Sequence, residues 1–310
     1  MDYTIPMHRC VVLGVPIDVL TQADAMRRIT ALCRSGGQFH IATPNPEMLV
    51  EASKNAKFKK VLQNTAMNIP DGIGVVWAMR RAMFSSSDSA VLFEQAMPQH
   101  RESRSGASSM LLDSSPAAAD SSLEENVDCA AADSSLEENI NSLEKNMPQR
   151  VTGTDLLQGI ASANSRLCPP ERIFLLGAGP GVAEKAAEEL RRRNPAIQEI
   201  GTYGGSPREE KEATIIARIN ACSSTLLFVA YGAPQQDLWI AKNLAKMPSV
   251  KIAIGVGGAF DCIAGKKRRA PRWMQHLGIE WLWRLILEPR RMRRIWRAVI
   301  VFPWLVWKME

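Results

Sequence analysis

Short apolar runs closed by glycine, proline or asparagine alternate along this chain with longer stretches in which apolar residues return every three or four positions. The first rhythm marks buried strands, the second helices with one buried face. His40-Ile-Ala-Thr, halted by Pro44-Asn-Pro, predicts a short strand and a turn, with a helix over 47–62. Asn68-Ile-Pro-Asp-Gly predicts a strand end and turn ahead of a helix over 74–83. Ile173-Phe-Leu-Leu-Gly, Leu226-Leu-Phe-Val-Ala and Val250-Lys-Ile-Ala-Ile-Gly are the strongest buried strands, the first two followed by helical periodicity over 182–193 and 236–246. Elements alternating at these lengths build a parallel sheet with helices on both faces: the α/β class, with a Rossmann-like parallel sheet core. Ligands in such sheets bind beyond the carboxyl ends of the strands. After residue 271 the rhythm changes. Residues 273–288 are helical, Pro289 suits the first position of a further helix over 290–301, and no strand follows. This is an appended C-terminal helical segment, not another strand–helix unit.

The alternation is absent over 84–149. That stretch holds twelve acids against three bases and repeats Ala-Ala-Asp-Ser-Ser-Leu-Glu-Glu-Asn at 118–126 and 131–139, with a partial copy at 142–146. So few short copies cannot stack into a solenoid. Low hydrophobicity with strong charge predicts a disordered insertion without chemistry. The other reading is an acidic arm drawn to the basic tail. The organisation is therefore a core of 1–83 and 150–271, an insertion of 84–149 and an appendage of 272–310.

Charge changes the picture most at the C-terminal end. Residues 266–310 hold twelve Lys or Arg against three Glu, while the whole chain carries only +6. Six of the eight tryptophans lie there: Trp273, Trp281, Trp283, Trp296, Trp304 and Trp307. Basic groups attract phosphates, and indoles favour the water–lipid boundary, so the partner is both anionic and greasy. No apolar run approaches the ~20 residues that span a bilayer. The stretch 298–307, which contains Pro303, suits lying on a membrane instead. The N-terminal residues lack the layout of a signal peptide. The six cysteines are scattered, without a CxxC pair, which argues against a zinc site and for a reducing compartment.

Candidate chemistry clusters at the strand ends. Thr43 and Asn45 can bind a sugar or phosphate, although both residue types also cap helices. Asp71, between proline and glycine, is either a turn former or a carboxylate held as a general base. Gly177-Ala-Gly-Pro-Gly places Gly177 and Gly179 where backbone can approach a phosphate at a helix start. The spacing is not a full GxGxxG and no acid completes it, which weakens a NAD-type reading. Gln236 follows a buried strand, and Gly257 belongs to a glycine-dense strand end that implies close backbone approach. In the tail, Arg291 and Arg294 share a helical face suited to phosphate oxygens, the plain alternative being a solvated basic face.

Taken in order, these segments resemble the WecG/TagA/CpsF family of bacterial glycosyltransferases. The blocks are 43–47, 70–78, 151–157, 174–187, 231–240, 255–271 and 279–294, which cover nearly all of the chain outside 84–149. The resemblance implies transfer of N-acetylmannosamine or a related sugar from a UDP-sugar to a polyprenyl-diphosphate-linked sugar. In the teichoic-acid branch the acceptor is undecaprenyl-diphosphate-linked N-acetylglucosamine. It implies inversion at the anomeric centre, no metal and no cofactor. By motif position Asp71 corresponds to the catalytic base. The substrate-binding set is Thr43, Asn45, Gln236, Asp155, Gly177, Gly179 and Gly257, with Arg284, Arg291 and Arg294 on the donor diphosphate. The implied partners are the UDP-sugar, the lipid-linked acceptor and the inner face of the plasma membrane, met through 272–310. Nucleic acid is not among them, and a homo-oligomer is left open. Pro234-Gln-Gln-Asp237 departs from the family's Pro-Lys-Gln-Glu, which loses a charge near the site and bears on donor identity. The alternative class is a non-catalytic or NAD-type Rossmann protein with a membrane-binding tail.

Overall fold

The computed structural model describes residues 8–85, 148–163, 171–195, 197, 199–207, 209–267, 270–271, 274, 280–287, 289 and 292–308, without the side chains of Phe84, Ser85, Glu209, Glu280, Arg284 and Leu287. The chain divides into two compact units, 1–83 with 146–310, and 84–145. Nearly all of the predicted insertion, with its repeat, lies outside the described residues.

The chain opens with an antiparallel hairpin that its sequence pattern does not announce. Strands β1 (Arg9–Val12) and β2 (Val15–Asp18) pair with Arg9 opposite Asp18. Leu13 and Gly14 both take positive φ, 51° and 77°, as a two-residue turn between twisted strands requires. Helix α1 (Gln22–Arg34) starts on a capping box in which Thr21 and Asp24 each accept from the other's backbone. Strand β3 (Phe39–Ala42) leads to α2 (Pro46–Lys54) and α3 (Ala56–Gln63). The helix predicted over 47–62 is thus split. Asn55 leaves helical geometry and its side chain accepts from Phe58 N at 3.0 Å, capping a second helix instead of continuing the first. Strand β4 (Met67–Asn68) and helices α4 (Ile73–Ser85) and α5 (Gly153–Ala163) follow.

The second half runs β5 (Ile173–Gly177), α6 (Val182–Arg193), β6 (Ile200–Tyr203), α7 (Glu212–Ala221), β7 (Leu226–Ala230), α8 (Gln235–Asn243), β8 (Ile252–Gly255) and α9 (Ala259–Ile263). Strands β3 to β8 form one parallel sheet in the order β4-β3-β8-β7-β5-β6. The last strand of the core therefore lies between β3 and β7. Side chains alternate across the sheet. Ile173, Leu175, Phe228 and Ile254 join one buried cluster with α1, α5 and α6, while Phe174, Leu176, Leu227 and Val229 join another with α7 and α8.

The appendage contributes α10 (Glu280–Leu287), α11 (Met292–Trp296) and α12 (Phe302–Lys308). A π-helical turn, Arg297–Val301, joins the last two. Pro303 lacks an N–H and would clash with the carbonyl four residues back, and a widened turn just ahead of it accommodates both. This segment packs on α2, and Phe302 is fully buried in a cluster with Leu49, Val75 and Met79. Among the described residues no helix is long and apolar enough to cross a membrane.

Candidate active site

Three neighbouring strand ends are stitched together at the carboxyl edge of the sheet. Thr43, one residue past β3, donates its hydroxyl to Gly255 O at the end of β8, at 2.9 Å. Gln236, in the first turn of α8, accepts from Gly257 N at 3.0 Å. Gly255 makes the approach of α8 feasible, since a Cβ there would lie 2.5 Å from Gln236 Nε2 and 2.8 Å from Asp237 Oδ1. Behind Gln236, Asp237 Oδ1 meets His40 Nε2 of β3 at 3.2 Å, while Asp237 Oδ2 has no partner. Thr43 and Gln236 are only 4% and 2% exposed. They form the floor of the edge, with the Thr43 hydroxyl and Gln236 Oε1 spent on holding it in shape.

Asp71 stands beside this floor. It is half-buried in the turn after β4, and that turn is tied on three sides. Asp71 N donates to Pro44 O at 2.9 Å, Ile69 N to Ala42 O at 2.9 Å, and Val151 N to Pro70 O at 3.0 Å. Gly72 takes φ 108°, so the chain reverses there without a Cβ penalty. Beneath the turn, Asn68 N donates to Asp18 Oδ2 at 2.6 Å. Asp18 is wholly buried, with Arg9 at 3.1 Å and Arg28 at 3.5 Å. Asn45 caps α2, accepting from Met48 N at 2.9 Å. Arg150, half-buried, precedes the residue that ties Pro70. Its place is not legible in the sequence, because the hydrogen bond from Val151 to Pro70 joins segments on either side of the predicted insertion.

The remaining expected residues spread along the same edge and into the tail. Asp155 accepts from the Thr152 hydroxyl at 2.6 Å in the first turn of α5, and Gly153 presses on Val256 so closely that a Cβ would lie 3.0 Å from its carbonyl oxygen. Gly177 takes φ 102° and its loop is tied by Ala178 N to Ala230 O at 3.1 Å. Gly179 is exposed, and Gly181 caps α6 with no side chain and open space about it. Lys266 Nζ lies 3.5 Å from Pro180 O, so the core brings a cation of its own to the glycine loop. Burial, with Tyr203 adding to it, pushes the Tyr231 hydroxyl well above the usual range, so it stays protonated at neutral pH. In the appendage, Arg294 Nε meets Glu47 Oε1 at 2.5 Å and Arg297 meets Glu51 at 3.5 Å. Arg291 and the Arg284 side chain lie outside the described residues. Among the described residues no three His, Cys, Asp or Glu side chains gather where they could hold a metal ion.

The edge therefore offers a fixed carboxylate, glycine loops open to backbone contact, and guanidinium groups on a separate segment. The chain matches the model of the glycosyl transferase WecG/TagA/CpsF family over residues 10–131 and 117–310. It belongs to that family. It is 25% identical over 276 residues to the N-acetylglucosaminyldiphosphoundecaprenol N-acetyl-beta-D-mannosaminyltransferase of Bacillus spizizenii, an alignment covering 89% of this chain and 81% of the relative. As a member of the WecG/TagA/CpsF family the protein is a glycosyltransferase, which sets aside the NAD-type and non-catalytic readings.

Proposed function

We propose that the protein transfers N-acetylmannosamine, or a closely related sugar, from a UDP-sugar to the N-acetylglucosamine of a polyprenyl-diphosphate acceptor, with inversion at the anomeric carbon. The product is a lipid-linked disaccharide for cell-surface polysaccharide or teichoic-acid synthesis. The observation that carries this reading is Asp71, a half-buried carboxylate on a turn held by three backbone hydrogen bonds at the ligand-binding edge. The similarity to an enzyme named for the same chemistry supports the donor sugar and the acceptor.

In one step, Asp71 takes the proton from the acceptor hydroxyl as its oxygen bonds to the anomeric carbon. The bond from that carbon to the diphosphate breaks on the opposite side, and UDP leaves with the electron pair. Negative charge grows on the leaving diphosphate, where Arg284, Arg291 and Arg294 supply positive charge. Thr43, Gln236 and Gly257 shape the floor under the sugars, and Gly177 and Gly179 leave room for the nucleotide. Asn45 acts through the helix it caps, and Asp155 through the turn it fixes with Thr152. The enzyme works at the inner face of the plasma membrane. Exposed Trp296, Trp304 and Trp307, with Arg293, Arg297 and Lys308, give the appendage a face for anionic lipid.

The test pairs the full chain with a panel of UDP-sugars and a short-chain lipid-diphosphate N-acetylglucosamine acceptor in EDTA, reading product mass and anomeric configuration. UDP-N-acetylmannosamine is expected to give an inverted disaccharide. Asp71→Asn is expected to keep the fold and lower kcat by about 10²- to 10⁴-fold, the range of general-base catalysis. Near-normal turnover in that variant would remove Asp71 from the mechanism.

A further inference from the structure

The appendage meets the core through two ion pairs in matching order. Glu47 and Glu51 stand one turn apart on α2, and Arg294 and Arg297 stand one turn apart on the tail. Glu47 lies in the first turn of α2, two residues after the Asn45 cap, where negative charge is favoured by the helix N-terminus. Pro44, three residues earlier, accepts the hydrogen bond from Asp71 N. The guanidinium of Arg294 is thereby held against the same loop that holds the candidate base. Its contact to Glu47 uses Nε. The N–H groups of its two terminal nitrogens are the ones suited to a second anion.

The plain reading is an exposed ion pair with no consequence, since such pairs add little to stability. The packing here separates two tasks. Phe302, fully buried, anchors the tail on α2 and α4. Val301, Leu305 and Val306 pack partly buried against the same cluster, but apolar contact is non-directional, while two charge pairs in the same order fix register. Register decides whether a guanidinium can reach a phosphate.

We propose that Glu47 is a positioning residue for the transfer: through Arg294, with Glu51 and Arg297 as the second rung, it sets where the tail's guanidinium stands at the mouth of the site. This rests on the reading that Arg294 contacts the donor diphosphate. Glu47 itself touches no substrate.

The test uses the full-length enzyme and measures kcat and donor KM at saturating acceptor, together with the rate of chymotryptic cleavage at the tail tryptophans. Glu47→Gln is expected to raise donor KM about threefold to fivefold, the weight of one partly exposed ion pair, with kcat nearly unchanged. Glu47→Asp is expected to recover most of the loss. Glu189→Gln, which breaks a comparable surface pair with Arg192 on α6, is expected to change neither quantity. In the charge swap Glu47→Arg with Arg294→Glu, the pair re-forms, so cleavage is expected to return to the wild-type rate while donor KM stays high. An unchanged donor KM in Glu47→Gln would overturn the positioning role. Recovery of donor KM in the swap would instead overturn the diphosphate contact of Arg294 and leave the register role standing.

Discussion

Gly255 governs the site by what it lacks. Its carbonyl receives Thr43, and its missing side chain admits Gln236 and Asp237 together. Gly255→Ala would force a methyl group into two buried polar side chains, one of them pinned by Gly257 N. Overpacking of this kind costs about 1–3 kcal/mol. A lower Tm is expected, with a fall in kcat/KM larger than the loss of folded protein explains, because the floor beside Asp71 shifts. Thermal unfolding and steady-state kinetics on one preparation would check this, and an unchanged Tm would mean that α8 retreats freely. The same residue marks a limit of sequence reading. A glycine-dense strand end announces close approach, but which side chains approach is decided by α8, a different element. Asp71, Thr43 and Gln236 were legible as strand-end residues. The inward-turned hydrogen bonds of Thr43 and Gln236 were not, since they depend on partners from β8 and from the turn just after it.

At the scale of elements, burial is what the sequence pattern conveys well. Strands β5 and β7 and helix α6 fall where apolar runs and helical periodicity put them, because each is buried on a full face or stripe. Elements with weak apolar signals escaped: the β1–β2 hairpin, and β6 with its Ile200-Gly-Thr-Tyr. The split at Asn55 escaped because periodicity continues across it, and only the capping side chain reveals the break. In the appendage the pattern gave helices but not their seat. Phe302 supplies it, buried among residues of α2 and α4 and in contact range of Gly74. Phe302→Ala is expected to cost about 3–5 kcal/mol of docking. Because all six strands of the parallel sheet precede the appendage, that loss should free the tail and leave the sheet folded. Hydrogen exchange would then rise over 292–308 and stay unchanged in β5 and β7. Loss of protection throughout would show that the tail is part of the core's cooperative unit.

For the whole molecule, charge and exposed indole are concentrated at one end of the sequence. Trp304 and Trp307 are 54% and 68% exposed on α12, beside Lys308, whose ammonium lies 5.4 Å from the Trp304 ring. Replacing both tryptophans with serine removes two of the three exposed indoles of the proposed lipid face but leaves Phe302 and the ion pairs in place. Binding to vesicles containing phosphatidylglycerol is expected to weaken at least tenfold, while turnover on a water-soluble acceptor is retained. Co-sedimentation separates the two effects; equal binding by the variant would show that these two indoles carry none of the membrane contact.

The sheet order also has a meaning in time. Strand β3 is made early, yet one of its two neighbours, β8, lies roughly two hundred residues further on, and at about 5–20 residues per second that is a wait of ~10–40 s during synthesis. Throughout it, one side of β3 has unpaired backbone groups, a template for the wrong partner. The floor of the site closes only when β8 slides in, and the tail that carries Arg294 is made later still. Turnover by a growing chain is therefore expected only after β8 and the residues around Arg294 have been made.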